Sequence, residues 1–250
     1  PCGWRAKSGT ATSTAPRCTA TRKVSARACA TPDWTAATSS SPVSSTTPST
    51  PPDDARRAFD TTLRDLGFDY VDLFLIHWPL PTLYDGDFVS TWKTLEEFKA
   101  DGRARSIGVS NFGIHHLQEL ARETETVPAV NQIEVHPYFT NDEVRAYGTE
   151  HDIITEGWAP IARGAVLGDP VVIRIAKSLG VHPAQVVLRW HIERGDVVFP
   201  KSMHAQRIRE NFEIFDFEIN DEEIEALTAL DKGEAGRRGP HPDAFAYLPE

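Results

Sequence analysis

Cysteine is almost absent from this 250-residue chain: Cys2, Cys18 and Cys29 lie within the first 52 residues, and none follows. That excludes a disulfide framework or a thiolate metal centre from the remainder, and it fits a reducing compartment such as the cytoplasm. The same first 52 residues hold no Leu, Ile, Phe, Tyr, His, Asn, Gln or Glu. A segment built from Thr, Ser, Ala, Pro and Arg cannot bury enough apolar area to offset its chain entropy. Acids are scarce there too, with six Lys+Arg against Asp33 alone, whereas residues 53–250 carry 20 basic and 35 acidic side chains. The acidic part has no basic, aromatic-studded face, so nucleic acid is not an expected partner. No run approaches the roughly 20 apolar residues of a membrane span, so no membrane association is expected either. Nor does a Gly-x-Gly-x-x-Gly follow any candidate strand, which argues against a Rossmann domain.

What is present begins at Asp53. Pro52-Asp53-Asp54 opens a helix whose stripe is Ala55, Ala58, Phe59, Thr62, Leu63 and Leu66, with Gly67 as its stop. Tyr70 to Ile76 then reads as a strand apolar on both faces, the pattern of a parallel sheet covered by helices. Trp92, Leu95 and Phe98 mark a helix ending at Gly102, followed by a strand over Ser106 to Val109. The alternation goes on through a helix at Ile114 to Glu123 and a strand at Ala129 to Val135. Thr140-Asn141-Asp142-Glu143 reads as a capping box opening a helix to His151. A strand over Ile153 to Gly157 precedes a helix begun by Asp169-Pro170 and halted at Gly180. A helix over Pro183 to Glu193 then leads to a strand at Val197 to Phe199. Repeated strand-helix units of this length make an α/β protein with a parallel sheet, doubly wound or closed into a barrel.

Residues 1–52 admit two readings. One is a disordered tail or an Arg- and Ser-rich transit peptide. The other is an aberrant, out-of-frame translation. Codons that encode Cys18 to Val24, entered on the last base of the cysteine codon, can spell Tyr-Gly-Asn-Glu-Glu-Gly. Upstream the same shift permits Gly-Tyr-Arg-His-Ile-Asp-Ser-Ala-Ala-Met. Across Thr38 to Thr46 it permits Val-Phe-Val-Thr-Ser-Lys-Leu-Asn, which clusters apolar residues as a buried strand does. A coherent match over most of the segment favours the second reading. The expected organisation is therefore an aberrant segment at 1–52 and a single domain at 53–250.

In a (β/α)8 barrel the reacting groups sit at the carboxyl ends of strands. Here the polar residues fall at those ends: His77, Ser110-Asn111, Gln132 with Glu134, Trp158, and Lys201-Ser202. A lone histidine beside an apolar strand is usually structural, but five such ends in succession point to one site. The strings Leu73-Phe74-Leu75-Ile76-His77-Trp78-Pro79, Gly108-Val109-Ser110-Asn111-Phe112, Asn131-Gln132-Ile133-Glu134-Val135-His136-Pro137-Tyr138 and Pro200-Lys201-Ser202 resemble those of the aldo-keto reductases. They are most similar to bacterial enzymes of the 2,5-diketogluconate reductase type. Arg207, Glu210 and Asn211 extend the match, and the out-of-frame text resembles the family's upstream part, with its Asp, Tyr and Lys.

The resemblance implies a (β/α)8 TIM barrel, N-terminally incomplete, with strands four to eight recognisable, and NADPH (NADP) as cofactor for a small carbonyl substrate. In this family a tyrosine acid, its pKa near 10 lowered by a lysine paired with an aspartate, protonates the carbonyl oxygen as hydride reaches the carbon. His77 takes the role of orienting that oxygen, and Trp78 that of a pocket wall or a core side chain. Ser110, Asn111 and Gln132 are implied to hold the nicotinamide carboxamide, and Trp158 to stack on the ring. Lys201, Ser202 and Arg207 would meet the 2′-phosphate, while Glu210 and Asn211 would meet the adenine end. Ala159 and Ile161 replace residues of a common Ser-Pro-Leu, removing a hydroxyl near the pyrophosphate, and His204 stands where threonine is usual. His136 and His191 read as structural, the latter facing outward. Phe245 or Tyr247 could line the pocket. Lys7, Lys23 and Asp33 lie on no plausible strand and take no catalytic role.

The expected function is NADPH-dependent reduction of aldehydes, ketones or keto sugars by a monomer. The alternatives are a non-catalytic NADP-binding module or an inactive fragment.

Overall fold

A computed structural model describes residues 43–45 and 51–246. The sequence readings at residues 1–42 and 46–50, and at Tyr247, lie outside these. The described chain is a run of parallel strands alternating with helices. In order these are β1 (Val43–Ser45), α1 (Pro52–Leu66), β2 (Val71–Ile76), α2 (Phe88–Ala100), β3 (Ala104–Ser110), α3 (Ile114–Glu123), β4 (Val130–Glu134) and α4 (Asp142–Glu150). There follow β5 (Ile154–Trp158), α5 (Pro170–Leu179), α6 (Pro183–Glu193), β6 (Val197–Val198), α7 (Ala205–Phe212) and α8 (Asp221–Thr228).

Each strand pairs in parallel with the next, giving one sheet in the order β1 to β6. Five strands are expected from the sequence; the sixth, β1, lies within the segment expected to be aberrant and pairs Ser44 with Leu75. The register Ile76 beside Val109 and Ser110 beside Gln132, with Glu134 beside Trp158, brings the carboxyl ends of four strands level. This is the geometry by which a barrel gathers polar side chains from distant parts of the sequence.

The helices form for local reasons. In α1, Pro occupies the first turn with Asp53 and Asp54 beside the positive helix terminus, and Gly67 closes the other end at φ 68°. Its buried stripe is Ala55, Phe59 and Leu63; Leu66, expected inside, is 38 % exposed at the last turn, where the Gly67 cap turns the chain away. Phe59 stacks on Phe98 of α2 at 4.1 Å between ring centroids and meets Phe74 of β2 edge-on at 4.6 Å. A second apolar cluster joins Val172 and Ile175 of α5 to Val186 and Trp190 of α6 and Leu227 of α8. Among the described residues no single helix is long and apolar enough to cross a membrane.

Two local expectations are corrected. The capping box at Thr140 to Glu143 does not form: Asn141 adopts φ 52° and makes no side-chain cap. Its amide instead donates to the Glu134 carbonyl at 3.2 Å, and the Thr140 N–H donates to Asp231 at 3.0 Å. His191 faces inward, fully buried, hydrogen-bonded to Asp196 at 2.9 Å and to the Pro160 carbonyl oxygen at 3.1 Å. Its structural role stands, but a tertiary salt-bridge cluster with Arg145 and Asp196 turns the helix face that periodicity placed outside. The sequence reading also left α7 and α8 unassigned.

Candidate active site

Asn111 is the hub of the strand ends. It sits at φ 62°, a left-handed conformation that asparagine tolerates better than most residues. Its backbone N–H donates to the Gln132 carbonyl at 2.9 Å. Its side-chain amide donates to the His77 carbonyl and to Ser110 Oγ, each at 3.0 Å, while its Oδ1 accepts from Trp158 Nε1 at 2.8 Å. Ser110 Oγ in turn donates to the Gln132 carbonyl at 2.9 Å. One buried residue thus ties β4, through its backbone N–H, to the exits of β2, β3 and β5, through its side chain. The five residues His77, Ser110, Asn111, Gln132 and Trp158, read from separate motifs, converge in space.

His77 follows β2 and is half-buried; burial lowers its pKa, so the imidazole is neutral near neutral pH and retains one N–H to donate. Trp78 is buried, and its ring packs at 4.2 Å from that of Phe245. Gln132 donates through Nε2 to Glu156 at 3.1 Å. Burial pushes the Glu156 carboxyl upward, and the Gln132 bond only partly opposes it. Sequence reasoning missed Glu156, whose signal is a lone acid inside a strand otherwise destined for burial.

The other group of expected residues lies along the exit from β6 and on α7. Lys201 and Arg207 are exposed, and among the described residues neither has an ion-pair partner. Ser202 Oγ accepts from the His204 N–H at 3.2 Å, Asn211 donates to the Pro200 carbonyl at 3.5 Å, and Glu210 accepts from Gln206 at 2.8 Å. Two unpaired cations beside a hydroxyl and a helix start, in a chain of net charge −10, suit a phosphate monoester. With the Trp158 ring and the Asn111–Gln132 cluster, these residues fit an NADP-type dinucleotide. Ala159, at φ 51°, and Ile161 form the turn after Trp158, with no side-chain hydroxyl to offer.

Residues 237–246 cross the same strand ends. Glu134, buried at 1 % exposure, accepts the backbone N–H groups of Arg238 at 2.7 Å and Gly239 at 2.9 Å, and the Nε2–H of buried His136 at 3.0 Å. Further along, Asp243 stands 3.2 Å from His115 and 3.5 Å from His116. His115, His116 and Asp243 bring ligand-type atoms within 4.8 Å of one another. However, His116 Nδ1 accepts the Gly113 N–H at 3.1 Å, so a neutral ring carries its proton on Nε2, facing Asp243. An N–H cannot ligate a cation, and His116 Nε2 makes no hydrogen bond among the described residues, so the cluster is a polar clasp of close contacts. A cavity of about 630 Å³ opens beside it, bounded by Asn111, Glu134, Asn141 and Asp243 but not by His77 or Lys201.

A parallel sheet that gathers a histidine, an amide-rich hub and an aromatic ring at its strand ends defines an enzyme-type α/β site. Comparison with known proteins names the class: residues 39–232 match the aldo/keto reductase family, and the chain belongs to it. It is 46% identical over 190 residues to an aldo-keto reductase of Mycolicibacterium smegmatis, spanning 76% of this chain and 68% of that one. It is likewise 46% identical over 192 residues to the methylglyoxal reductase DkgA of Yersinia pestis, with the same coverage, and 44% identical over 190 residues to a glyoxal reductase of Bacillus subtilis, covering 67% of that chain. Among solved structures, the NADPH complex of a Gox0644 variant superposes with a TM-score of 0.75 at 41% identity, covering 78% of this chain and 71% of that one.

Proposed function

We propose that this protein reduces small aldehydes and dicarbonyls with NADPH. The observation that carries the reading is the joining of four strand ends through Asn111, which sets His77, Gln132 and Trp158 around one point. NADPH, when bound, supplies the hydride. Trp158 offers its ring face to the nicotinamide, Gln132 and Ser110 offer polar groups to the carboxamide, and Lys201 with Arg207 offers charge to the 2′-phosphate. His77, neutral, donates its N–H to the carbonyl oxygen and fixes the substrate's angle. The named relatives favour methylglyoxal-sized dicarbonyls over 2,5-diketogluconate as the substrate.

Of the described tyrosines, Tyr138 and Tyr147 have pKa values raised, by burial first and then by Asp169 and Glu150 respectively, which is the wrong direction for a proton donor near neutral pH. We attribute the acid to the alternative reading frame of residues 1–52. In that frame a lysine falls on the codon of Ser44, inside β1, and the register sets that position beside Leu75, two residues before His77. The placement supports the frame reading, because a lysine there would belong to the strand adjoining the one that presents the histidine. The second reading, a non-catalytic NADP-binding module, follows from the same observation if the written frame is the expressed one.

The test is NADPH oxidation followed with methylglyoxal, alongside quenching of NADPH fluorescence. Turnover that falls about 100-fold or more in His77→Ala, with NADPH binding retained, is the expected result. Binding without turnover in the parent chain would select the module, and loss of both would sink the NADPH reading.

A further inference from the structure

The segment 237–246 has no strand or long helix of its own, yet it lies across the exits of β4 and β5 and ends with Phe245 on Trp78. Such a segment owes its position to side chains elsewhere, because no backbone ladder holds it. Its main anchor is Glu134. Two of that carboxylate's three hydrogen bonds go to backbone N–H groups 104 and 105 residues away, and the third comes from His136, itself fully buried. Burial alone would raise the Glu134 carboxyl, but the His136 bond and the Gly239 and Arg238 N–H groups outweigh it and hold the group below its ordinary value. The anchored residue also lies against Trp158: a Cβ on Gly239 would overlap that ring and lie 3.2 Å from Glu134 Oε2. Gly239 is therefore a close-approach glycine, letting backbone come up against the Cη2–Cζ2 edge of the indole.

We propose that Glu134 is a positioning residue for carbonyl reduction: its buried carboxylate seats residues 237–246 on Trp158, which brings Phe245 against Trp78 and closes the carbonyl side of the site. The assignment rests on the reductase reading above. It differs from a purely structural role because the bonds run outward to an irregular segment over the site rather than between elements of the sheet. Asp243 approaches His115 and His116 at a second point of the same segment, so loss of Glu134 frees residues near 238 and 239 first.

The experiment uses the full chain with Glu134→Gln and, separately, Gly239→Ala. The glutamine turns an N–H group toward an N–H group, while the alanine lifts the segment off Trp158 and leaves the Glu134–His136 pair in place. Deuterium uptake in residues 237–246 is expected to rise about tenfold in both, with uptake in β2 to β5 unchanged. Affinity for NADPH, read by fluorescence, is expected to stay within about threefold, since the phosphate contacts lie elsewhere. Affinity of the NADP⁺-loaded chain for 4-nitrobenzaldehyde, read by tryptophan quenching, is expected to fall about tenfold. Uptake that rises equally through β4 and β5 would make Glu134 a general stabiliser and overturn the proposal. So would unchanged uptake in 237–246, or a loosened segment with unaltered aldehyde affinity. If the parent chain binds no NADPH, the reductase reading falls and the positioning role with it, whereas the uptake arm still decides whether Glu134 is the anchor.

Discussion

His116 is a buried base whose charge state couples directly to stability. Burial first, and then the neighbouring His115, lowers its pKa from 6.5 to about 4, with Asp243 only partly opposing. Above pH 6.5 both folded and unfolded chains keep this ring neutral. As pH falls below that, the unfolded chain takes up a proton that the folded chain refuses until about pH 4, so the stabilisation present at neutral pH is progressively lost. The loss between pH 7 and pH 5 is expected to be about 2 kcal/mol from this residue alone. Urea unfolding at the two pH values checks it: His116→Asn, which keeps an acceptor for the Gly113 N–H, should flatten the slope by that amount, and an unaltered slope would refute the assignment. At this scale the sequence was informative wherever a residue sat inside a motif. His77, Asn111 and Gln132 were legible from the strings that hold them, and Trp158 from its place after a strand. Glu134 was visible in the same strings without a role, because its partners lie more than 100 residues away in a segment with no pattern of its own. Glu156 and the His116 clasp were not legible, since contacts between a strand, a helix start and an irregular tail leave no periodic trace.

Among the elements, β3 shows how closely the strands approach. Gly108 lies at its centre, where a Cβ would sit 2.6 Å from Val130 Cγ2, 2.7 Å from Leu75 Cδ2 and 2.9 Å from the Val130 carbonyl oxygen. The methyl groups can turn aside, but the carbonyl belongs to β4 and cannot. Gly108→Ala is therefore expected to lower the unfolding free energy by about 1–3 kcal/mol, the usual cost of overpacking. Gly168→Ala is the control, because nothing lies within 4 Å of a Cβ there and no positive φ is required. Thermal or urea denaturation of both separates the two, and equal stability would mean that β3 and β4 can spread. Element types were well marked in the sequence from Asp53 onward, where α3 and α6 agree with their expected limits. The failures fell where a tertiary contact outbid a local rule: Asn141 gives up its cap to reach the Glu134 carbonyl, and His191 is drawn inward by Asp196. Helix α7 escaped notice for a different reason: its apolar stripe, Ala205, Ile208 and Phe212, spans only two turns of an eight-residue, charge-rich segment.

For the whole molecule, the uncovered apolar surface is concentrated at one margin. Met203, Ile208, Phe212 and Phe215 are 90, 49, 72 and 52 % exposed, and all lie just after β6, the last strand of the sheet. Parallel sheets are stable when covered on both faces, and an unpaired edge with apolar side chains beside it invites association. In a closed barrel that margin meets the first strands of the chain, and upstream of β1 the composition turns to Thr, Ser and Pro, where the proposed alternative frame permits apolar residues. A chain expressed with residues 1–52 read in that frame is therefore expected to cover this margin and gain about 2 kcal/mol for each large side chain it buries. Binding of a hydrophobic dye should fall, the denaturation midpoint should rise, and methylglyoxal-dependent NADPH oxidation should appear or increase. Unchanged dye binding, with no gain in stability or turnover, would show that the segment is not a displaced part of the barrel. In that case the site rests on the described residues alone, and the two tyrosines whose pKa values are raised, Tyr138 and Tyr147, are unsuited to serve as its acid near neutral pH.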